Sequence, residues 1–196
     1  MLAQTTEAVE PRPEVSDQRK EIEIATAVVN VPHPIAAGPE MAALHRFFRD
    51  CTWKGTIVEG GMGPGTLEMT AVGRGVHRTI QDGLWIVGDY EQAQYLPDGT
   101  FLLTWQLHWV VGWDPDAGEY HGTHADNYGH AGVMRGRLEG DVLTFETMGD
   151  GPVRQRMIWN LVDPEVMRWR NEISFSGGPF SLVEEYEFAD EGRAAS

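Results

Sequence analysis

Residues 109–140 read WVVGWDPDAGEYHGTHADNYGHAGVMRGRLEG. DPDAG at 114–118 separates two runs of strand character, and NYG (127–129) and EGD (139–141) punctuate the chain beyond them. Asp, Asn, Pro and Gly supply the special backbone angles and local hydrogen bonds of tight turns. Connections this short join antiparallel neighbours, so the stretch predicts a hairpin and the strands that continue it. The same stretch packs His121, His124 and His130 close together, with His108 just ahead of it. It therefore poses a second question, whether the imidazoles converge on a site.

The pattern extends outward in both directions. From Trp53 onward the chain alternates with a two-residue period, and PDG (97–99), GDGP (149–152), DP (163–164) and SGGP (176–179) mark further turns. The segments run WKGTIVEG, TLEMTAVGRG, VHRTIQDG, LWIVGDYEQAQ, TFLLTWQLHWVVGWD, GEYHGTHAD, HAGVMRGRLEG, DVLTFETMG, VRQRMIWNLVD, EVMRWRNEISFS and FSLVEEYEFAD. The expected fold is all-β, a single antiparallel meander of about ten strands. Closing the sheet into a barrel removes its two exposed edges. Upstream, GPEMAALHRFFRDCTW predicts one amphipathic helix over residues 39–51. Pro39 suits the first turn, Glu40 favours the N-terminus, and Leu44, Phe47, Phe48 and Cys51 form one stripe. The helix is expected to cap one barrel mouth. Residues 1–37 are polar and proline-containing and read as a largely irregular arm, in which EIEIATAVVNV has strand character; 38–190 form the barrel domain and 191–196 a tail.

The net charge of -15, with only Lys20 and Lys54 as lysines, argues against nucleic acid or an anionic membrane as partner. The lone Cys51 excludes an intrachain disulfide framework and a CxxC zinc site. The N-terminus lacks the basic start and apolar core of a signal peptide, and no apolar run reaches the roughly 18 residues of a membrane span. The expected location is cytoplasmic.

Alternation sorts side chains by face. On the last strands, Val153, Gln155, Met157, Trp159 and Leu161 lie together. So do Met167, Trp169, Asn171, Ile173 and Phe175, and likewise Phe180, Leu182, Glu184, Tyr186 and Phe188. These faces are large and aromatic, with Gln155, Asn171 and Glu184 as polar exceptions that need partners or a ligand. A carboxyl in such surroundings has a raised pKa and suits acid or base work. Between Phe101 and Val111 two choices stay open: either Trp105 and Trp109 face inward, or Thr104, Gln106 and His108 do. A hairpin pivoting on Asp116 places His108 opposite His124, a pair suited to acid/base chemistry near neutral pH. With His130 or Glu184 as a third ligand, the pair is also the one arrangement that could hold a metal. GGMGPG (60–65) lacks the GK[ST] ending of a phosphate loop and reads as a mouth loop.

The segment GWDPDAGEYHGTHADNYGHAGVMRGRLEGDVLTF resembles a bacterial lipocalin-like family catalogued as a domain of unknown function. Gly112, Trp113, Asp114, Pro115, Gly118, Tyr120, Gly122, Thr123, Asp126, Gly129, Gly136, Gly140 and Leu143 fall on its pattern. The helix and strand start RFFRDCTWKGT are also similar, and the likeness spans about residues 39–190. It implies a calycin-type barrel and no particular reaction. His108, His121, His124 and His130 are not explained by it.

The expectation is a small-molecule enzyme of lyase, isomerase or cyclase type, as in secondary metabolism, acting on an apolar substrate inside the barrel. His108, His124 and Glu184 are the candidate catalytic residues. Trp105, Gln106, Gln155, Trp159, Trp169, Asn171 and Tyr186 are the candidate substrate-binding residues. No metal and no cofactor is expected, and a homodimer stays open. The alternative is a non-catalytic carrier or sensor of an apolar ligand, which needs the same cavity without a titrating pair.

Overall fold

A computed structural model describes residues 35–190, apart from 62, 162, 164 and 165. The expected arm lies outside the described residues except for Ile35–Ala37, which are irregular, and so does the expected tail over 191–196. Among the described residues no helix is long and apolar enough to cross a membrane.

Pro39 opens α1 (Pro39–Leu44), with Glu40 in its first turn. The helix is shorter than the stripe predicts. After Leu44 the chain tightens into a turn in which the Phe47 amide donates to the Leu44 carbonyl at 3.0 Å. Asp50 then accepts the His77 amide at 2.7 Å and leads the chain into the first strand. Leu44, Phe47, Phe48 and Cys51 are all buried. Cys51 achieves this as a strand residue paired with Gly75 and Asp190, a position that a continued helix could not reach.

Ten antiparallel strands come next: β1 (Cys51–Ile57), β2 (Met69–Ile80), β3 (Trp85–Tyr95), β4 (Phe101–Asp114), β5 (Glu119–Asp126), β6 (Ala131–Glu139), β7 (Val142–Thr147), β8 (Val153–Asn160), β9 (Met167–Phe175) and β10 (Ser181–Asp190). Each pairs with its sequence neighbours, and β1 also pairs with β10, so the meander is a closed barrel. The two segments expected across Gly75 are one strand, β2. Its turn comes later, at Gln81, Asp82 and Gly83, all with positive φ. Gly75 instead makes room for the Tyr90 ring, which lies 3.0 Å from where a Cβ would sit.

The chain around α1 covers one end of the barrel. The Tyr120 hydroxyl donates to the Glu40 carbonyl at 2.9 Å, and Arg46 reaches Asp141 in the β6–β7 turn at 2.5 Å. Below it Val111, Leu143, Phe145 and Trp109 are almost fully buried. Glycines opposite the large rings let the bore close around them. A Cβ on Gly136 would lie 2.6 Å from the Phe145 ring, and one on Gly122 2.7 Å from Trp109. Inserting a methyl into such a core forces neighbours off their rotamers. Gly136→Ala is therefore expected to cost ~1–3 kcal/mol in urea unfolding. Gly151→Ala, whose Cβ meets nothing nearer than 3.8 Å, should leave the midpoint where it is.

Candidate functional site

The hairpin at Asp114 decides which imidazoles look inward. Asp114 pairs with Glu119, which leaves a four-residue loop rather than one pivoting on Asp116. The Asp114 carboxylate accepts the Asp116 and Ala117 amides at 2.9 and 3.0 Å. The Gly118 amide returns to the Asp114 carbonyl at 2.9 Å, with Gly118 at φ 66. Trp109 therefore opposes His124, Gly112 opposes His121, and His108 opposes Ala125. The expected His108–His124 pairing is off by one residue, and a shift of one moves a side chain to the other face.

His108 and Gln106 accordingly stand on the outer face. His108 Nδ1 meets Asp89 at 2.6 Å, beside Arg78 on the other Asp89 oxygen, and Gln106 donates to Glu91 at 3.1 Å. The His108 contact, followed by Arg78, holds Asp89 below the usual carboxylate range. Neither residue reaches the bore, so the three-ligand arrangement through His108 is not assembled. His121 lies outside between Asp114 and Glu119, at 3.4 and 3.3 Å. His130 caps Asp126 at the β5–β6 turn, at 2.9 Å. The histidines of the opening stretch thus disperse. Among the described residues no group of three His, Cys, Asp or Glu side chains could hold a metal.

Trp105, Trp109 and His124 face inward. The His124 ring stacks on Trp109 at 5.5 Å and 10°. Gly132 lies behind it, where a Cβ would come within 2.6 Å of the imidazole. His124 Nδ1 and Trp109 Nε1 are buried and have no protein partner. Trp105 Nε1 donates to Asp126 at 3.3 Å. Burial alone would raise the Asp126 pKa. Hydrogen bonds from His130, Trp105 and Tyr128 outweigh it and hold the carboxyl below its ordinary range.

The opposite wall carries the polar exceptions anticipated from alternation. Gln155, Asn171 and Glu184 fall side by side on β8, β9 and β10, with Trp159, Trp169 and Tyr186 beneath them. Gln155 Nε2 donates to Asn171 Oδ1 at 3.0 Å, and Asn171 Nδ2 donates to Glu184 Oε1 at 2.9 Å. The Tyr186 hydroxyl donates to Glu184 Oε2. Gln92, almost fully buried, accepts from Trp53 Nε1 at 2.9 Å. Donation runs from Gln155 through Asn171 to one Glu184 oxygen and from Tyr186 to the other. Burial pushes the Glu184 carboxyl up, while the Tyr186 and Asn171 hydrogen bonds pull it back. Burial, and next Glu184, push the Tyr186 phenol well above its ordinary value, so it stays a donor.

Sequence reasoning missed Gln92, Trp53 and Asp126 as parts of this site. The stretch DYEQAQ is polar at both alternating sets of positions and carries no apolar stripe to mark the inside.

Strands β5 and β10 are five steps apart around the ring in either direction, so His124 and Glu184 belong to opposite walls. Leu103, Trp105, Leu107, His124, Asp126, Gln155 and Glu184 are only partly buried, unlike Val111 and Leu143 near α1. Among the described residues the inner wall is thus less buried at the end away from α1. The mouth loop after β1 lies at this end, where Ile57 pairs with Glu184 and Gly61 packs on the Val183 backbone. A separate groove of 770 Å³ runs along the outside past Lys54, Thr56, Val72, Ile158, Arg168 and Glu187. In it Arg168 pairs with Glu187 at 3.6 Å, and its outward-facing residues are not part of the hydrogen-bonded inner wall.

A family model described as "Protein of unknown function (DUF1579)" matches residues 40–186. The chain belongs to this family. The crystal structure of Rv2717c from M. tuberculosis has a similar fold, with a TM-score of 0.54 at 15% identity, covering 79% of this chain and 99% of that one. This likeness concerns the fold alone. No curated protein matches the chain. In this DUF1579 barrel the matched region contains β1–β9, and β10 as far as Tyr186.

Burial lowers the pKa of His124, and also that of His77, from the ordinary 6.5. The unfolded chain therefore takes up protons first as pH falls, and the folded state loses stability below about pH 6.5. His124→Phe keeps a ring on Trp109 and removes that titration. Its melting temperature should fall less than the wild type's between neutral pH and about pH 5. An equal fall in both proteins would count against a buried neutral His124.

Proposed function

We propose that this protein binds a small, largely apolar molecule in the open half of its barrel and carries out proton transfer on it, as a lyase, isomerase or cyclase does. The observation that carries the reading is the pair of opposed walls. One presents the Glu184 carboxyl, which accepts from Tyr186 and Asn171, and the other carries the partly buried His124 imidazole. A carboxyl whose pKa is raised by burial is a stronger base when ionised than a free one, and once protonated it can return the proton to another atom of the ligand. The aromatic side chains between them supply the apolar contact that positions a ligand. The reading takes the barrel as calycin-type, on the strength of its closed antiparallel meander and capping helix. It keeps Trp105, Gln155, Trp159, Trp169, Asn171 and Tyr186 as binding residues and drops His108 and Gln106. The net charge of -15 favours a small molecule over nucleic acid as partner.

One observation favours the carrier reading. Both Glu184 oxygens already accept from fixed donors, so the carboxylate also serves as the anchor of a rigid wall. Deuterium exchange separates the two. A ligand identified by native mass spectrometry from cell extract is incubated with the protein in D2O. The enzyme reading expects deuterium in the ligand or its conversion. Glu184→Gln should slow this about 10²–10⁴-fold, the usual contribution of a general base. Tight binding with neither exchange nor conversion leaves the carrier.

A further inference from the structure

The inner wall has a charge bias that the apolar reading does not use. Every Lys and Arg on the ten strands occupies an outer-face position: Lys54, Arg74, Arg78, Arg135, Arg137, Arg154, Arg156, Arg168 and Arg170. Among the inward positions whose side chains are described, carboxyls stand at Glu184 on β10 and Asp126 on β5. Asp126 is answered by His130 at 2.9 Å and by neighbouring amides. Glu184 has only neutral partners: among the described residues no Lys, Arg or His forms an ion pair with it.

The hydrogen-bond directions make this carboxyl an acceptor. The Tyr186 hydroxyl donates to one Glu184 oxygen, and Asn171, held by Gln155, donates to the other. Two donors aimed at two oxygens suit the ionised form. An ionised carboxylate has about four acceptor sites, so room for a further donor remains. Tyr186 lies next to it on the same face of β10, with Trp169 stacked on the Tyr186 ring at 5.0 Å. A buried anion without a counter-charge is costly, and a cation entering beside it recovers much of that cost. Aromatic surroundings favour cations as well, through the negative faces of the rings.

We propose that the barrel selects organic cations, an ammonium or quaternary ammonium group on an apolar body, with the positive charge seated at the Glu184 carboxylate inside the aromatic wall. This rests on the reading of the open half as a ligand pocket and names the class of ligand it takes. The net charge of -15 adds a field that draws cations and repels anions.

Three probes with one naphthylmethyl body, ending in trimethylammonium, hydroxyl or carboxylate, test it on the full chain by calorimetry at neutral pH and fixed salt. The ammonium should bind at least about tenfold more tightly than the alcohol, and the carboxylate most weakly. In Glu184→Gln the preference for the ammonium over the alcohol should vanish. Should that variant fail to fold, the order of the three probes on the wild type decides alone. Equal binding of ammonium and alcohol, or tighter binding of the carboxylate, overturns the cation site and leaves the pocket standing. Failure of all three to bind removes the pocket and the cation site together.

Discussion

The pairing of β1 with β10, from Cys51 opposite Asp190 to Ile57 opposite Glu184, turns a meander into a closed wall. An open ten-stranded sheet would leave two rows of unpaired backbone groups and one apolar face in water. Closure satisfies both edges and makes that face an interior. The same seam brings Trp53 from the start of the barrel beside Phe188 and Tyr186 from its end, with ring contacts at 5.2 and 6.5 Å. A polar group enclosed by it must find partners on the inner wall.

Glu184 shows how the wall meets that demand. Desolvation of a lone carboxylate costs several kcal/mol, and a hydrogen bond to a charged acceptor contributes ~1.5–3 kcal/mol. Two such bonds offset much of the cost without a cation. Asn171 is in turn fixed by Gln155, and the Tyr186 ring by its stack on Trp169. The β-bulge between Leu182 and Glu184 lies next to this point and re-aims β10 just before the carboxyl enters the bore. The result is a polarised wall, with donors pointing at one residue, facing an imidazole held between Trp109 and Gly132.

The covered end and the open end divide the work. Near α1 the bore is filled by Trp109, Phe145, Leu143 and Val111, and the Glu40 and Arg46 contacts hold the cover on the strands. Toward the other end the inner residues are more polar and less buried. Packing density thus falls along the barrel axis in the direction in which hydrogen-bonding capacity rises. A site at the boundary combines a rigid apolar floor with polar side chains in reach of solvent.

Local sequence was enough for the strands, most of their turns and the inner face of β8, β9 and, from Glu184 onward, β10; the bulge at Leu182/Glu184 breaks the expected alternation that joined Leu182 to that face. There the apolar residues alternate so strongly that Gln155, Asn171 and Glu184 stand out as exceptions. It was enough to show that residues 114–118 turn the chain, but not how many residues the turn spends. Asp114 capturing two amides and Gly118 taking a positive φ set a register one residue away from the expected pivot. That single step put His124 inside and His108 in water, because strand side chains alternate faces. The stripe ending at Cys51 likewise read as a helix because burial at helical spacing does not require a helix. Strand pairing with Gly75 and Asp190 overrode it. The sequence by itself determined the meander, its acidic charge and a polar trio on an aromatic face. Only the tertiary structure decided that Glu184 receives donors from both sides, that His124 faces it from the far wall, and that every basic strand residue points outward. Those facts depend on register and closure, which join residues far apart in the chain and leave no local trace in it.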